Sequence, residues 1–162
     1  MRSQAQTEAA VLLPMEVIRN FADRAPMDLD AMARALGVEV RRGQNLAANV
    51  SGKIERRGAG FVATINAAHS AKRQRSTLAH ELAHRIFHSD LIGDGISDDG
   101  LYRSSVSDDI ERQANAFAAG RLVPARLVRK LYREGMKDTP SIAERFDVSY
   151  DAARVRLREL FG

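Results

Sequence analysis

Two periods alternate along this chain, and the switches between them mark out its elements. Apolar residues recur with helical spacing over positions 11–21, where Pro14 is admissible in a first turn and Pro26 ends the pattern. Asp28 is a fitting N-cap for a short helix over 29–36, and Gly37 stands where a helix-ending glycine belongs. Positions 38–42 read as a strand, and two more strands follow at 51–57 and 60–66, joined through Arg57-Gly-Ala-Gly60. In the last of these, Phe61, Ala63 and Ile65 alternate with Val62 and Thr64, as in a half-buried strand. That alternation suits either an interior strand or an edge able to receive an extended peptide. Ser70 can cap a long helix running through Ser76 to about His88.

Positions 89–109, rich in Gly, Ser and Asp, keep no period and read as a solvated lid. Helix resumes near Asp108 and stops before Pro124; another covers 125–134, with Gly135 behind it. Ser141-Ile-Ala-Glu144 has the form of a capping box opening a short helix to Phe146, and Ser149 can cap a last helix reaching Phe161. Helices and strands are thus segregated as in an α+β fold: a small three-stranded sheet, surrounding helices and a C-terminal helical pair. The expected division is a main domain over 1–124 and a helix-turn-helix-like extension over 125–162.

Composition narrows the chemistry. With 162 residues, 44% of them hydrophobic and 28% charged, the chain can bury a core, and it has no cysteine. Disulfides, Cys-based zinc fingers, iron–sulfur clusters and thiol nucleophiles are all excluded, so any metal must be held by His, Asp or Glu. No apolar run reaches the roughly 18 residues a membrane span needs, and the apolar stretch at 9–13 is too short for an export signal, so a cytoplasmic, non-membrane protein is expected. The net charge of +4 is unevenly spread. Between two basic regions, positions 89–111 hold one base, Arg103, against Asp90, Asp94, Asp98, Asp99, Asp108, Asp109 and Glu111. That is not the footprint of a uniform nucleic-acid surface, and the aspartate spacing does not fit an EF-hand.

The segment that carries chemistry is His80-Glu-Leu-Ala-His84, an H-E-x-x-H pattern in a helical context. Four residues of helix rise about 6 Å and turn only about 40° past a full circle, so both imidazoles leave one face and can share one ion. Neutral imidazole suits Zn²⁺, one per chain. Glu81, about 100° round from His80, is badly aimed for a ligand but within reach of a water on the ion, where it would act as the catalytic base. Asp90 is disfavoured as third ligand, because Phe87 stands where a reversing glycine would be needed. His88 is about 12 Å along the axis from His80 and cannot share the ion, which leaves it as a substrate contact or surface residue. The better third ligand is Glu111, on a separate helix with Ala114, Phe117 and Ala118 facing the core. Asn115, one turn on, can support a ligand imidazole from behind. Tyr102, His88 and His69 are candidates for a second oxyanion donor or substrate contact.

These residues also resemble a known family, the ImmA/IrrE metallopeptidases, gluzincin-like proteins of bacteria, phages and mobile elements. Arg73-Gln-Arg-Ser-Thr-Leu-Ala-His-Glu-Leu-Ala-His84 resembles the family's R-x-R-F-T-x-A-H-E-L-G-H block, with Ser76 and Ala83 as departures. Glu111-Arg-Gln-Ala-Asn-Ala-Phe-Ala-Ala119, ending at Leu122-Val-Pro124, resembles its E-x-x-A-N-x-F-A-A-x-L-L-M-P block. Ala63-Thr-Ile-Asn66, the 28–38 stretch and Ile142-Ala-Glu-Arg-Phe-Asp-Val-Ser149 with Arg156 and Leu157 extend the likeness over about 27–160. The resemblance implies a zincin-like fold, with His80, His84 and Glu111 as zinc ligands and Glu81 as the catalytic residue. It also implies a protein substrate: a helix-turn-helix repressor of the XRE type, or an antitoxin, encoded nearby. The competing expectation is a regulator that acts by binding alone, on a repressor or on DNA through Arg154, Arg156 and Arg158 of the last helix.

Overall fold

The computed structural model describes residues 13–22, 24–43, 45–92 and 105–162, with backbone alone at 105–107. Most of the expected lid, and Tyr102 with it, lies outside the described residues.

Two helices precede the sheet: α1 (Pro14–Arg19) and α2 (Leu29–Ala35), the second capped by Asp28, whose carboxylate accepts from the Ala31 N–H at 3.0 Å. Gly37 then adopts φ +71°, a left-handed turn that few side chains tolerate, and its carbonyl accepts from the Phe61 N–H at 3.0 Å. That bond starts the pairing of β1 (Val38–Gly43) with β3 (Gly60–Asn66), in parallel with Val38 opposite Phe61. β2 (Gly52–Arg57) lies antiparallel on the other side of β3, with Ile54 opposite Ala63.

The sheet order is therefore β1-β3-β2. This settles the open reading of 60–66. β3 is the interior strand, paired on both sides, and it cannot take an added peptide; β1 and β2 are the two edges. The physical reason shows in burial, for Phe61, Val62, Ala63, Ile65 and Asn66 are all buried, so β3 is covered on both faces.

α3 (Ala71–Phe87) packs against β2 and β3, capped by Ser70 as its sequence predicts. Leu78 and Leu82 enter the core beside Ile54, Ile65, Met32 and Phe146, each such leucine stabilising by about 1.5–3 kcal/mol. The same helix also buries Thr77, Glu81 and His84, polar groups whose burial opposes folding unless partners compensate.

α4 (Ser105–Leu122) starts earlier than the pattern suggests and lies along α3. Three helices follow: α5 (Ala125–Arg133), α6 (Thr139–Phe146) and α7 (Tyr150–Phe161). α6 opens a turn before the expected capping box. Asp138 is its cap, accepting from the Ser141 N–H at 2.9 Å, and Pro140 fits the first turn because no N–H is needed there. Arg75 of α3 ties the C-terminal pair down, donating to the carbonyls of Asp147 (3.2 Å) and Met27 (3.1 Å). Among the described residues, no helix is long and apolar enough to cross a membrane.

Candidate metal centre

α3 and α4 bring His80, His84 and Glu111 together from positions far apart in the chain. Nε2 of His80 lies 3.0 Å from one carboxylate oxygen of Glu111, and Nε2 of His84 lies 3.0 Å from the other. The two Nε2 atoms are 3.1 Å apart, with the rings nearly perpendicular at 84°. Four bonds of 2.0–2.1 Å in a tetrahedron put ligand atoms about 3.3–3.4 Å apart. The triangle here is a few tenths of an ångström tighter, so a small expansion would seat a zinc-sized ion. Among the described residues this is the group of three donors that could hold a metal.

The electrostatics fit the geometry. Two imidazole lone pairs and a carboxylate repel one another at 3 Å, so a cation among them, proton or metal, relieves the cluster. Burial pulls the His80 pKa down, but the hydrogen bond to Glu111, the charges of Glu81 and Glu111 and the contact with Asn115 outweigh it, and the net shift is upward. His84 goes the other way. Its deeper burial, with repulsion from His80 and His88, outweighs Glu111 and favours the neutral ring.

A family model described as the IrrE N-terminal-like domain, of a peptidase family, matches residues 33–158. The chain belongs to this family. The match spans all three strands, both helices that carry His80, His84 and Glu111, and most of the C-terminal pair, and it agrees with the α+β, zincin-like fold. A solved Mycobacterium tuberculosis transcriptional regulator shares the fold, with a TM-score of 0.61 and 21% identity over 87% of this chain and 44% of its own. This chain thus spans under half of that regulator. A comparison with curated proteins returns no match.

In this member of the IrrE-like family His80 and Glu111 of the candidate centre line a cleft of about 470 Å³. Glu81, 2% exposed, lines it with them, together with Asn115 of α4 and Arg73, Ser76 and Thr77 of α3. The opposite wall is the segment 49–52 leading into edge strand β2. Arg73 bridges the two sides, donating to the Ser51 hydroxyl at 3.2 Å. Sequence reasoning passes over this wall, although Gly52 inside a strand is a signal of close approach. A Cβ there would sit 2.7 Å from Cγ2 of Thr77 and 2.9 Å from the Thr64 carbonyl.

Asn115 lies where the helix spacing predicts, its Oδ1 2.8 Å from Nδ1 of His80. Two other candidates are elsewhere than expected. His69 sits in the turn after β3 with Nε2 3.0 Å from the Ala48 carbonyl, and is not among the residues lining the cleft. His88 is neither a surface residue nor on the cleft. It is 8% exposed, with Nδ1 3.0 Å from Nδ1 of His84 and Nε2 2.8 Å from Oε1 of Gln113. The reason is α4, which covers the last turn of α3 and supplies Gln113.

Proposed function

We propose that this chain is a cytoplasmic zinc endopeptidase of the H-E-x-x-H, gluzincin type. Its substrate is a helix-turn-helix repressor of the XRE type, or an antitoxin, encoded nearby, and cleavage relieves repression. The observation that carries the reading is the convergence of His80, His84 and Glu111 at 3.0–3.1 Å, with the buried carboxylate of Glu81 lining the same cleft as His80 and Glu111.

His80, His84 and Glu111 would hold one Zn²⁺, which would supply Lewis acidity for activating water near neutral pH and for stabilising negative charge on the carbonyl oxygen. Glu81 accepts the proton of the attacking water and returns it to the departing amine, a contribution of about 10²–10⁴-fold. Its low exposure keeps bulk water from competing for that proton. Asn115 accepts from Nδ1 of His80 and so leaves Nε2 directed at Glu111. Segment 49–52 and edge strand β2 offer main-chain groups to an extended substrate, with Arg73 lining the same cleft. The division into a peptidase unit over 1–124 and a helical extension over 125–162 accompanies this reading, the extension serving as packing against the enzyme. The solved relative's description as a transcriptional regulator supports a setting in gene control.

The test is incubation of the zinc-loaded protein with the repressor encoded beside it, with and without a chelator. Two repressor fragments without chelator and intact repressor with it are expected. Intact repressor under both conditions, with zinc bound, would remove the peptidase reading.

A further inference from the structure

His80 and His84 face different surroundings behind their ligand nitrogens. Nδ1 of His80 meets an amide oxygen, which can only accept. Nδ1 of His84 meets another imidazole, Nδ1 of His88, at 3.0 Å, and a ring nitrogen can play either part. The two rings, one helical turn apart, have centroids 5.2 Å apart and are tilted by 52°. What decides the direction lies at the far side of His88, where Nε2 is 2.8 Å from Oε1 of Gln113 on α4.

That oxygen accepts, so His88 carries its hydrogen on Nε2. Neutral His88 then has a bare Nδ1, which accepts from Nδ1–H of His84. His84 in turn has a bare Nε2, aimed at Nε2 of His80 and at Glu111. Run in reverse, with the Gln113 amide donating, the chain would leave a hydrogen on Nε2 of His84, where it would block a metal.

We propose that His88 and Gln113 are positioning residues that set the tautomer of His84 and hold its Nε2 lone pair ready for zinc. The inference rests on the zinc reading above and extends it to two residues outside the cleft. Partners of this kind are commonly worth 10–100-fold in metal affinity.

The test measures zinc affinity by competition with a chromophoric chelator, alongside the thermal unfolding midpoint of the metal-free protein. His88→Leu keeps bulk but offers no acceptor and should weaken zinc binding by about 10–100-fold. His88→Asn can present its Oδ1 where Nδ1 stood and should recover most of that loss. Gln113 is exposed, so its variants spare the core. Gln113→Glu, which can only accept, should bind zinc at least as tightly as wild type, and Gln113→Leu more weakly.

A merely structural His88 would lower the midpoint without changing zinc affinity, and asparagine would rescue nothing. The proposal is overturned if His88→Leu binds zinc like wild type, or if His88→Asn is no better than His88→Leu. Should His88→Leu fail to fold, equal affinity of Gln113→Leu and Gln113→Glu overturns it. A wild-type chain that takes up no zinc overturns the metal reading with it, whereas zinc-binding wild type with an indifferent His88 removes this inference alone.

Discussion

Replacing Gly52 by alanine should destabilise the protein, and should do so through a particular side chain on α3. The added Cβ would lie 2.7 Å from Cγ2 of Thr77 and 2.9 Å from the Thr64 carbonyl, both well inside ordinary contact. Neither gives way easily. The carbonyl belongs to the interior strand, and Thr77 is stiff at χ1, its hydroxyl bonded to the Arg73 carbonyl at 3.0 Å. Overpacking of this kind costs about 1–3 kcal/mol. At roughly 2–4 °C per kcal/mol for a chain of this size, the unfolding midpoint should fall by roughly 2–12 °C. Thr77→Ser removes Cγ2 but keeps the hydroxyl, and alone should cost about 1 kcal/mol as a buried methyl deletion. Combined with Gly52→Ala it should return about 1 kcal/mol relative to the sum of the single changes, because the shorter contact is gone. Denaturant unfolding of the wild type, both single variants and the double variant measures this coupling. Additive effects, or a Gly52→Ala protein as stable as wild type, would refute the close approach of β2 to α3 that forms the cleft wall.

Alanine at His80, His84 or Glu111 should abolish stoichiometric zinc, the histidines costing most; elemental analysis showing one zinc per chain in Glu111→Ala would remove Glu111 from the site. Protons compete with the metal at His80, whose raised pKa lets protonation begin above the ordinary value of 6.5, so zinc affinity should fall with falling pH, by about tenfold per unit once His80 is protonated; titration showing constant affinity from ~pH 7.5 to ~pH 5.5 would contradict this. In the metal-free protein the two histidines act oppositely. The stabilisation from His80 is present below 6.5 and lost as pH rises through its folded pKa, while that from His84 is present above 6.5 and lost as pH falls toward its lowered value, so their joint contribution should peak near 6.5. Arg154→Ala with Arg158→Ala should leave the unfolding midpoint and cleavage nearly unchanged, since Arg154 pairs with Asp151 at 3.5 Å on its own helix; salt-dependent, sequence-selective DNA binding by the wild type that this double variant loses would overturn the packing role of α7.

How much of this is legible in the chain depends on whether a feature is local. The caps at Asp28, Ser70 and Ser149 are one-turn arrangements, and each accepts the backbone N–H three residues on, as spacing predicts. His80 and His84 share a face by helix arithmetic alone, and Asn115 follows Glu111 by the same rule. Features that depend on what lies across a gap are not legible in this way. Alternation in 60–66 tells which face of a strand is buried but not how many neighbours it has, and the interior place of β3 emerges only once β1 pairs with it in parallel. The distance along α3 shows that His88 cannot share an ion with His80. It cannot show that α4 covers that end of the helix and offers Gln113. Asp138 displaces the expected cap of α6 because a proline two residues later tolerates a helix start that hydrophobic period does not reveal.

The central claim, that Glu81 works as a base beside a metal held by other residues, is tested most directly by one comparison. Wild type and Glu81→Gln, each with its zinc content measured, are incubated with the neighbouring repressor, and the cleaved fragment is followed on a gel. The substitution keeps the side chain's shape and lies off the ligand triangle, so both proteins should carry about one zinc and hold the repressor equally well. Fragment release should fall at least about 10²-fold in Glu81→Gln. A zinc-loaded Glu81→Gln protein that cleaves like wild type, or that relieves repression in cells without cleavage as well as wild type does, would contradict the account.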